Sequence, residues 1–466
     1  MKLINKGLIL VVVVFVFSFA NKALASNITV NDSSATISQN GLCSINEAII
    51  NANSNNQTGS VDCVAGNGLD TILINNDIVF TNFYPNGFND SSGTPFITDS
   101  LIVNGQGHTV SRNSSLPFRF FHVTTSPISL SLKNLRMVGG YGYSGGAVFV
   151  TAMNSLSIDN CQFLQNSSDI EGGAIYANGL LNGFTIDNST FEQNVSSLGG
   201  VILANEADLT IKKSKFISNN STWLYGGSIA ISYSNLIIKD STFENNTGGT
   251  IYTFGGAGLN ANVPVHIDNS TFNNNSNTQG ASVIKSESTM DLNIFNSTFS
   301  GNTSSSGSAI SLYDYDSKIS VGFSTFLGNN SNTNEGVIKI FWNPTSAFIE
   351  NNIFANNTGG ECNWGLLNIN SVNNLSSNGT CGQVVATGVD QNLANNGGLT
   401  KTHKLIVGSN AIDTALVGVP GVKFKCPKFD QRYISRPFDG DNDGVAKCDI
   451  GAYEYSKKIQ ISTGSL

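Results

Sequence analysis

Charge is scarce in this sequence. Asp, Glu, Lys and Arg together make up 12% of the 466 residues, about half the usual share. What charge there is sums to −8, which argues against nucleic acid and anionic membrane as partners. Arginine is nearly missing: Arg136 is the only one between positions 120 and 430. Helical periodicity is lacking from the centre of the chain, where Gly, Asn, Ser and Thr dominate, so a helical repeat is excluded. Past residue 25 no apolar run approaches the roughly 20 residues of a membrane span, and no membrane insertion of the mature chain is expected. Low charge alone would fit a disordered chain, yet apolar residues recur at regular intervals, which disordered chains lack.

The long apolar run that does occur stands at the start. Lys2 and Lys6 precede a nearly unbroken apolar stretch from Leu8 to Phe19, and Ala23-Leu24-Ala25 supplies a small-x-small cleavage site. Residues 1–25 read as a signal peptide, with Ser26 as the mature N-terminus. Ser26, not Cys, stands directly after the cleavage site, so a lipoprotein anchor is not expected. The expected location is secreted, extracellular or at the cell surface, with the periplasm as the other destination. All seven cysteines lie in the exported part. Nearness in sequence suggests the pairs Cys43 with Cys63, Cys362 with Cys381 and Cys426 with Cys448, although spacing alone does not fix the connectivity. Each bridge would close a loop of about 20 residues and contribute about 3 kcal/mol. Cys161 is left over inside a repeat and reads as a small buried apolar residue.

The centre of the chain repeats the pattern Phe-x-x-Asn. It occurs at Phe163, Phe191, Phe216, Phe243, Phe272, Phe299, Phe326 and Phe354, at steps of 25 to 29 residues, with a degenerate copy at Met137. Such a period signals stacked coils. Ahead of each Phe lies a short alternating segment, such as Leu156-Ser157-Ile158 or Leu209-Thr210-Ile211, the mark of a half-buried strand. The Phe sits in a second segment, and a third follows a glycine-rich turn, as in Gly172-Gly173-Ala174-Ile175. Three strands per unit describe one triangular coil. The expected fold class is therefore all-β: a right-handed parallel β-helix with three-stranded coils of about 27 residues. Strands this short gain stability by stacking in parallel at about 4.8 Å per coil, with Phe, Ile/Val and Ala/Ile columns inside. Gly-Gly permits a tight corner, and Asn tolerates left-handed turn positions. Repeated Asn in Asp159-Asn160, Asp187-Asn188, Asp268-Asn269 and Asn351-Asn352 suggests a side-chain ladder. That reading outweighs glycosylation of the matching sequons.

The ends of such a stack need covers. Ser44-Ile45-Asn46-Glu47 has the spacing of a capping box, with Ile45, Ala48 and Ile49 as the apolar side of a short helix. Cys43-Ser44-Ile45-Asn46-Glu47-Ala48-Ile49 resembles the CSLREA motif at the start of secreted bacterial β-helix proteins, with Ile45 in place of Leu and Asn46 in place of Arg. Asp70-Thr71-Ile72 is similar to the first strand that follows in that family. At the other end, the chain from about 390 to 455 resembles the choice-of-anchor Q domain. The matching stretches are Asn396-Gly397-Gly398-Leu399-Thr400, Gly408 to Asp413, Asp430-Gln431-Arg432, Arg436-Pro437 and Cys448 to Glu454; Asn410 and Tyr433 depart, where the family has Pro and Gly. The resemblance implies attachment to the cell envelope by a sorting tail. Residues 456–466 hold no hydrophobic tail, so free secretion or a periplasmic location stays open beside it. The middle coils are similar to the passenger repeats of chlamydial polymorphic membrane proteins, which implies a role in adhesion. The expected organisation is a signal peptide (1–25), an N-terminal cap with the first coils (26–100), repeats (101–385), a C-terminal cap (386–455) and a tail (456–466).

Few residues suggest chemistry. Asp439-Gly440-Asp441-Asn442-Asp443-Gly444 carries carboxylates at alternate positions closed by Gly, the first half of a calcium loop. Ile450 stands where a bidentate Glu would complete it, with Asp449 or Glu454 as substitutes. Asp439, Asp441 and Asp443 are thus candidate ligands of a structural Ca2+ that would fix the cap; a plain Asp/Gly surface turn is the alternative. No other cofactor is expected. Parallel β-helices often act on polysaccharides, but neither the acidic calcium cluster of pectate lyases nor the aspartate set of polygalacturonases is visible. Asp314 and Asp316, in Tyr313-Asp314-Tyr315-Asp316, offer the best enzymatic foothold, because carboxylates two apart on a strand share a face. An exposed polar strand is the alternative. His266 should point outward. Lys212, Lys213 and Lys215 read as a solvated face, and Trp223, Trp342 and Trp364 are too scattered to define a groove. The expected function is non-catalytic, adhesin-like binding of an extracellular protein, matrix or glycan ligand. A polysaccharide lyase or glycoside hydrolase working on a lateral face, and a structural envelope spacer, are the alternatives.

Overall fold

The computed structural model describes residues 25–456, apart from 87–90, 124–126, 256–262, 306–308, 314–315, 334, 343 and 364–368; the signal-peptide reading therefore lies almost wholly outside the described residues. The chain forms a right-handed parallel β-helix. One coil shows the plan: Ser155–Asp159 lies on face 1, Gln162–Leu164 on face 2 and Ile175–Asn178 on face 3. Among the described residues face 1 stacks 13 strands, face 2 stacks 12 and face 3 stacks 10. Coils between 141 and 331 depart from the three-strand expectation, the later ones through the short strands Ser276–Asn277, Thr303–Ser304 and Asn330–Ser331. Tyr141–Ser144, Ser167–Glu171, Val195–Leu198 and Asn220–Tyr225 form a fourth, four-stranded sheet between faces 2 and 3. These segments are mostly polar and lack strict alternation, so periodicity did not reveal them. They are called the ridge below.

Register explains the repeat. Phe163 pairs with Phe191, Phe191 with Phe216, and so on to Phe354. All eight rings are fully buried. Their centroids stand 4.6–4.9 Å apart, with planes within 14° of parallel. Met137 continues the column on the N-terminal side. The Asn three residues after each Phe builds a buried ladder. Asn166, Asn194, Asn219, Asn246, Asn275, Asn302 and Asn329 each donate through Nδ2 to the Oδ1 of the next at 2.9–3.0 Å. From Asn194 on, the same Nδ2 also reaches the carbonyl of the Phe one coil back, as from Asn194 to Phe163 at 3.0 Å. The expected ladder at Asn160 and Asn188 exists too, at 2.8–3.0 Å, but on the exposed side. Asn160, Asn188, Asn269 and Asn351 adopt left-handed φ of 45–58°, as turn residues should.

A serine ladder runs beside it. The backbone N–H groups of Ser189, Ser214 and Ser241 donate to the Oγ atoms of Ser214, Ser241 and Ser270 at 3.1–3.2 Å. Cys161 occupies the corresponding position one coil earlier, its N–H donating to Ser189 Oγ at 3.0 Å. Its thiol is buried, and burial pushes it up to about 12, so it is inert at neutral pH. At the Gly-Gly corner, a Cβ on Gly172 would lie 2.1 Å from the Ile175 carbonyl oxygen, and one on Gly173 2.3 Å from that of Gly200. Only glycine fits there.

The helix Ile45–Ser54 has the expected capping box, with Ser44 and Glu47 bonding reciprocally, and it buries Ile45, Ala48 and Ile49. Cys43–Cys63, Cys362–Cys381 and Cys426–Cys448 are disulfide-bonded. Residues 386–456 run back along the stack. Tyr433 donates to Asp240 at 2.7 Å, Thr298 donates to Gln431 at 2.6 Å, and Lys423 N–H donates to Glu350 at 3.0 Å. The outward face 2 residues Thr271 and Thr298 are buried beneath this segment, whereas Gln162 and Lys215 at the same register are exposed. The tertiary path, not the repeat, thus decides which outward positions see water.

Candidate functional site

Three places on the surface concentrate chemistry. The first is face 3 with the ridge. Outward on face 3, Phe149, Tyr176, Leu203, Ala230, Tyr252 and Lys285 follow one another in register. The ridge sets Glu171, Leu198 and Tyr225 in a neighbouring column. Leu203, Ala230 and Tyr252 form a small apolar cluster walled by Tyr176, Leu198, Tyr225 and Phe254. Large aromatic side chains stay open on the ridge: Tyr143 is 61% exposed and Trp223 54%.

Toward the C-terminal end this face becomes ionic. Lys285 Nζ lies 4.3 Å from the centre of the Tyr225 ring and 2.7 Å from Glu287. Tyr252 donates to Glu287 at 2.6 Å. Burial and then Glu287 raise the Tyr252 phenol well above its ordinary value. Burial opposes the Glu287 carboxylate, but Lys285 and Tyr252 outweigh it and hold that group low. Lys339 pairs with Glu335 and lies 3.9 Å from the Phe341 ring, which stacks on Tyr313. The Tyr252 phenol is thus held protonated, and Lys285 and Lys339 are each paired with a carboxylate.

The second place is on face 1. Asp159 and Asp187 are paired in register on adjacent coils. With Lys133, Lys212 and the hydroxyl residues Ser157, Thr185 and Thr210 they line a shallow cavity of about 270 Å3. Asp187 Oδ1 is buried without a hydrogen-bond partner among the described residues. Sequence reading treated Asp159 and Asp187 only as turn residues. The 28-residue step between them, equal to the Phe step in that coil, was the signal that they meet. Lys212, Lys213 and Lys215 are all exposed, as expected, but on different sides: Lys212 ends a face 1 strand, Lys213 is a turn residue with φ 47°, and Lys215 starts a face 2 strand.

The third place is in the C-terminal segment. Asp413, Asp439 and Asp441 bring one carboxylate oxygen each within 4.8 Å of one another. Asp413 comes from outside the loop motif, and chain order alone did not point to it. Its Oδ2 accepts from Gly440 N–H at 2.7 Å and Asp441 N–H at 3.0 Å, fastening it to the loop. Asp443 is not part of the trio and accepts from Val445 N–H at 2.7 Å. Asp449 and Glu454 are buried elsewhere. Asp449 accepts from Asp413 N–H, and Glu454 pairs with Arg436 at 3.2 Å. Burial and then Glu454 push Asp449 up to about 8. Oxygen donors from three carboxylates, with Asp439 Oδ1 buried and lacking a hydrogen-bond partner among the described residues, fit a hard divalent cation.

Asp314 and Trp364 lie outside the described residues. Asp316 is an exposed turn residue with φ 63°, placed between the strands Ile310–Leu312 and Lys318–Gly322. His266 is exposed on face 1, as expected, and Trp342 is 46% exposed.

Comparison with known proteins agrees with the fold. A family model described as right handed beta helix region matches residues 146–326, the stretch that holds most of the Phe column. No curated protein and no solved structure matches the chain.

Proposed function

We propose that this protein is a non-catalytic extracellular β-helix that binds a protein or glycan ligand through face 3 and the ridge. The observation that carries the reading is the gathering of aromatic side chains on one lateral side, with Trp223 and Tyr143 more than half exposed. Exposed aromatic clusters mark recognition surfaces. The three disulfides support an oxidising location outside the cytoplasm. In the C-terminal cap, a structural calcium ion is held between Asp413, Asp439 and Asp441 and supplies rigidity rather than chemistry.

The paired carboxylates Asp159 and Asp187 favour a second reading, glycoside hydrolysis on face 1, since two closely set carboxylates can act as acid and nucleophile. One experiment separates the two. The mature protein, residues 26–466, is applied to arrays of glycans and extracellular-matrix proteins, beside a reducing-end assay on pectins and related polymers. Saturable binding that is lost in Trp223→Ser and Tyr143→Ser upholds the binding reading. Reducing-end release that disappears in Asp187→Asn replaces it with the hydrolase.

A further inference from the structure

A cavity of about 620 Å3 opens at the N-terminal end of face 2. There residues 33–37 run beside the strand Ile78–Phe80 and the segment 81–85, with Ser34 bridged to Val79. We propose that this cavity is a binding site for a neutral saccharide unit, separate from the ridge.

Two independent observations carry this assignment. The first is a buried acceptor at the wall. Asn46, in the first turn of the capping helix, is 5% exposed and lines the cavity. Its Nδ2 donates to the Gly93 carbonyl at 3.3 Å, and its Oδ1 has no hydrogen-bond partner among the described residues. Turning the amide over would set Oδ1 against the Gly93 oxygen, acceptor on acceptor, so the oxygen is the atom left without a donor. An unsatisfied buried acceptor is costly, and a ligand hydroxyl or N–H relieves it.

The second observation is the composition of the wall. Among the described residues no charged side chain lines the cavity, so these residues offer no ionic partner to a phosphate, a uronate or an amine. Ser34, Thr36 and Thr81 supply hydroxyls, while Ile37, Val79 and Phe83 supply apolar surface. Those three apolar side chains are 43%, 43% and 38% exposed. A ligand that matches both sets is uncharged, bears hydroxyl groups and has a C–H face for an aromatic edge or ring. A pyranose meets each condition, and the volume lies in the range of small-molecule sites.

The test uses the mature protein and a panel of neutral methyl glycosides and the corresponding disaccharides, read by saturation-transfer NMR and titration calorimetry. Saturable binding of at least one saccharide is expected. Phe83→Ser and Asn46→Arg should each weaken it tenfold or more, the latter by placing a long charged side chain at the wall. Phe83 is well exposed, so its replacement keeps the assay informative if the Asn46 variant fails to fold. The panel is repeated on Trp223→Ser, which takes away the ridge: saturable saccharide binding should remain there and should still fall tenfold or more when Phe83→Ser is added, which separates this site from the ridge. Binding of either ligand form supports the assignment, and their relative affinity tells a free sugar from a chain end. The proposal is overturned if no saccharide binds saturably, or if binding survives Phe83→Ser undiminished.

Discussion

Asn194 donates through Nδ2 to Asn219 Oδ1 at 3.0 Å, and its backbone N–H reaches the same oxygen at 2.9 Å. One side-chain oxygen thus takes two donors from the coil before it. Asn219 in turn donates to Asn246 Oδ1 and to the Phe191 carbonyl, both at 3.0 Å. Asn219→Ala removes the acceptor shared by the Asn194 backbone N–H and one Nδ2 hydrogen, and takes one donor away from the Phe191 carbonyl, which costs about 3 kcal/mol. The exposed Asn160→Gly, which keeps the left-handed turn at φ 51° without strain, should cost less than about 1 kcal/mol. Urea midpoints of the two variants against the parent protein check the difference.

Phe243 stacks between Phe216 and Phe272 at centroid distances of 4.7 and 4.9 Å. Phe243→Ala opens a cavity that rigid neighbouring coils cannot close, at about 3–5 kcal/mol. Phe243→Leu keeps most of the volume and should cost distinctly less. A Phe243→Ala midpoint equal to that of the parent would contradict the buried column.

Burial, and then the nearby Arg119, depress the His122 imidazole to about 3. Its ring lies between Phe96 and Phe149 at 4.5 and 4.7 Å. The unfolded chain binds a proton below about pH 6.5, whereas folded His122 does not until about pH 3. Stability contributed by neutral His122 is therefore full above pH 6.5 and declines as the pH falls toward 3. Asp449 works the other way, because its raised value costs stability as the pH climbs toward 8. The comparison must hence be between variants at each pH. His122→Phe should lose less stability than the parent between pH 7 and pH 4 in urea titrations.

Calcium should raise the melting temperature of the parent protein relative to a chelator, and magnesium should do so less, since it dehydrates reluctantly. Asp413→Asn should remove most of that increment, while Asp443→Asn should leave it nearly intact. Equal effects of the two variants would return the site to the alternating loop carboxylates alone.

Much of the fold was legible before any coordinates. The steps between Phe163 and Phe354 set the coil length, and the alternation in Leu156-Ser157-Ile158 set which residues face inward. The capping box at Ser44 and Glu47 and the three disulfide pairs were legible as well, because each depends on residues close in sequence. The ridge was not legible, since segments such as Ser167–Glu171 gain their pairing from neighbouring coils rather than from an apolar pattern. The site residues were harder still. Tyr225 meets Lys285, about two coils further along the chain, only through stacking, and Asp413 meets Asp439 through a turn-rich path without regular period.

The sequence alone determined the repeating unit, the buried columns and the closing of the N-terminal end, because all three rest on local periodicity and on hydrogen bonds between near neighbours. Tertiary structure decided which outward residues stand together and which are covered. Residues 386–456 bury Thr271 and Thr298 but leave Lys215 open, and no local rule distinguishes those positions. A coil's inward side is dictated by its own apolar residues, whereas its outward side acquires meaning only from what the rest of the chain lays beside it.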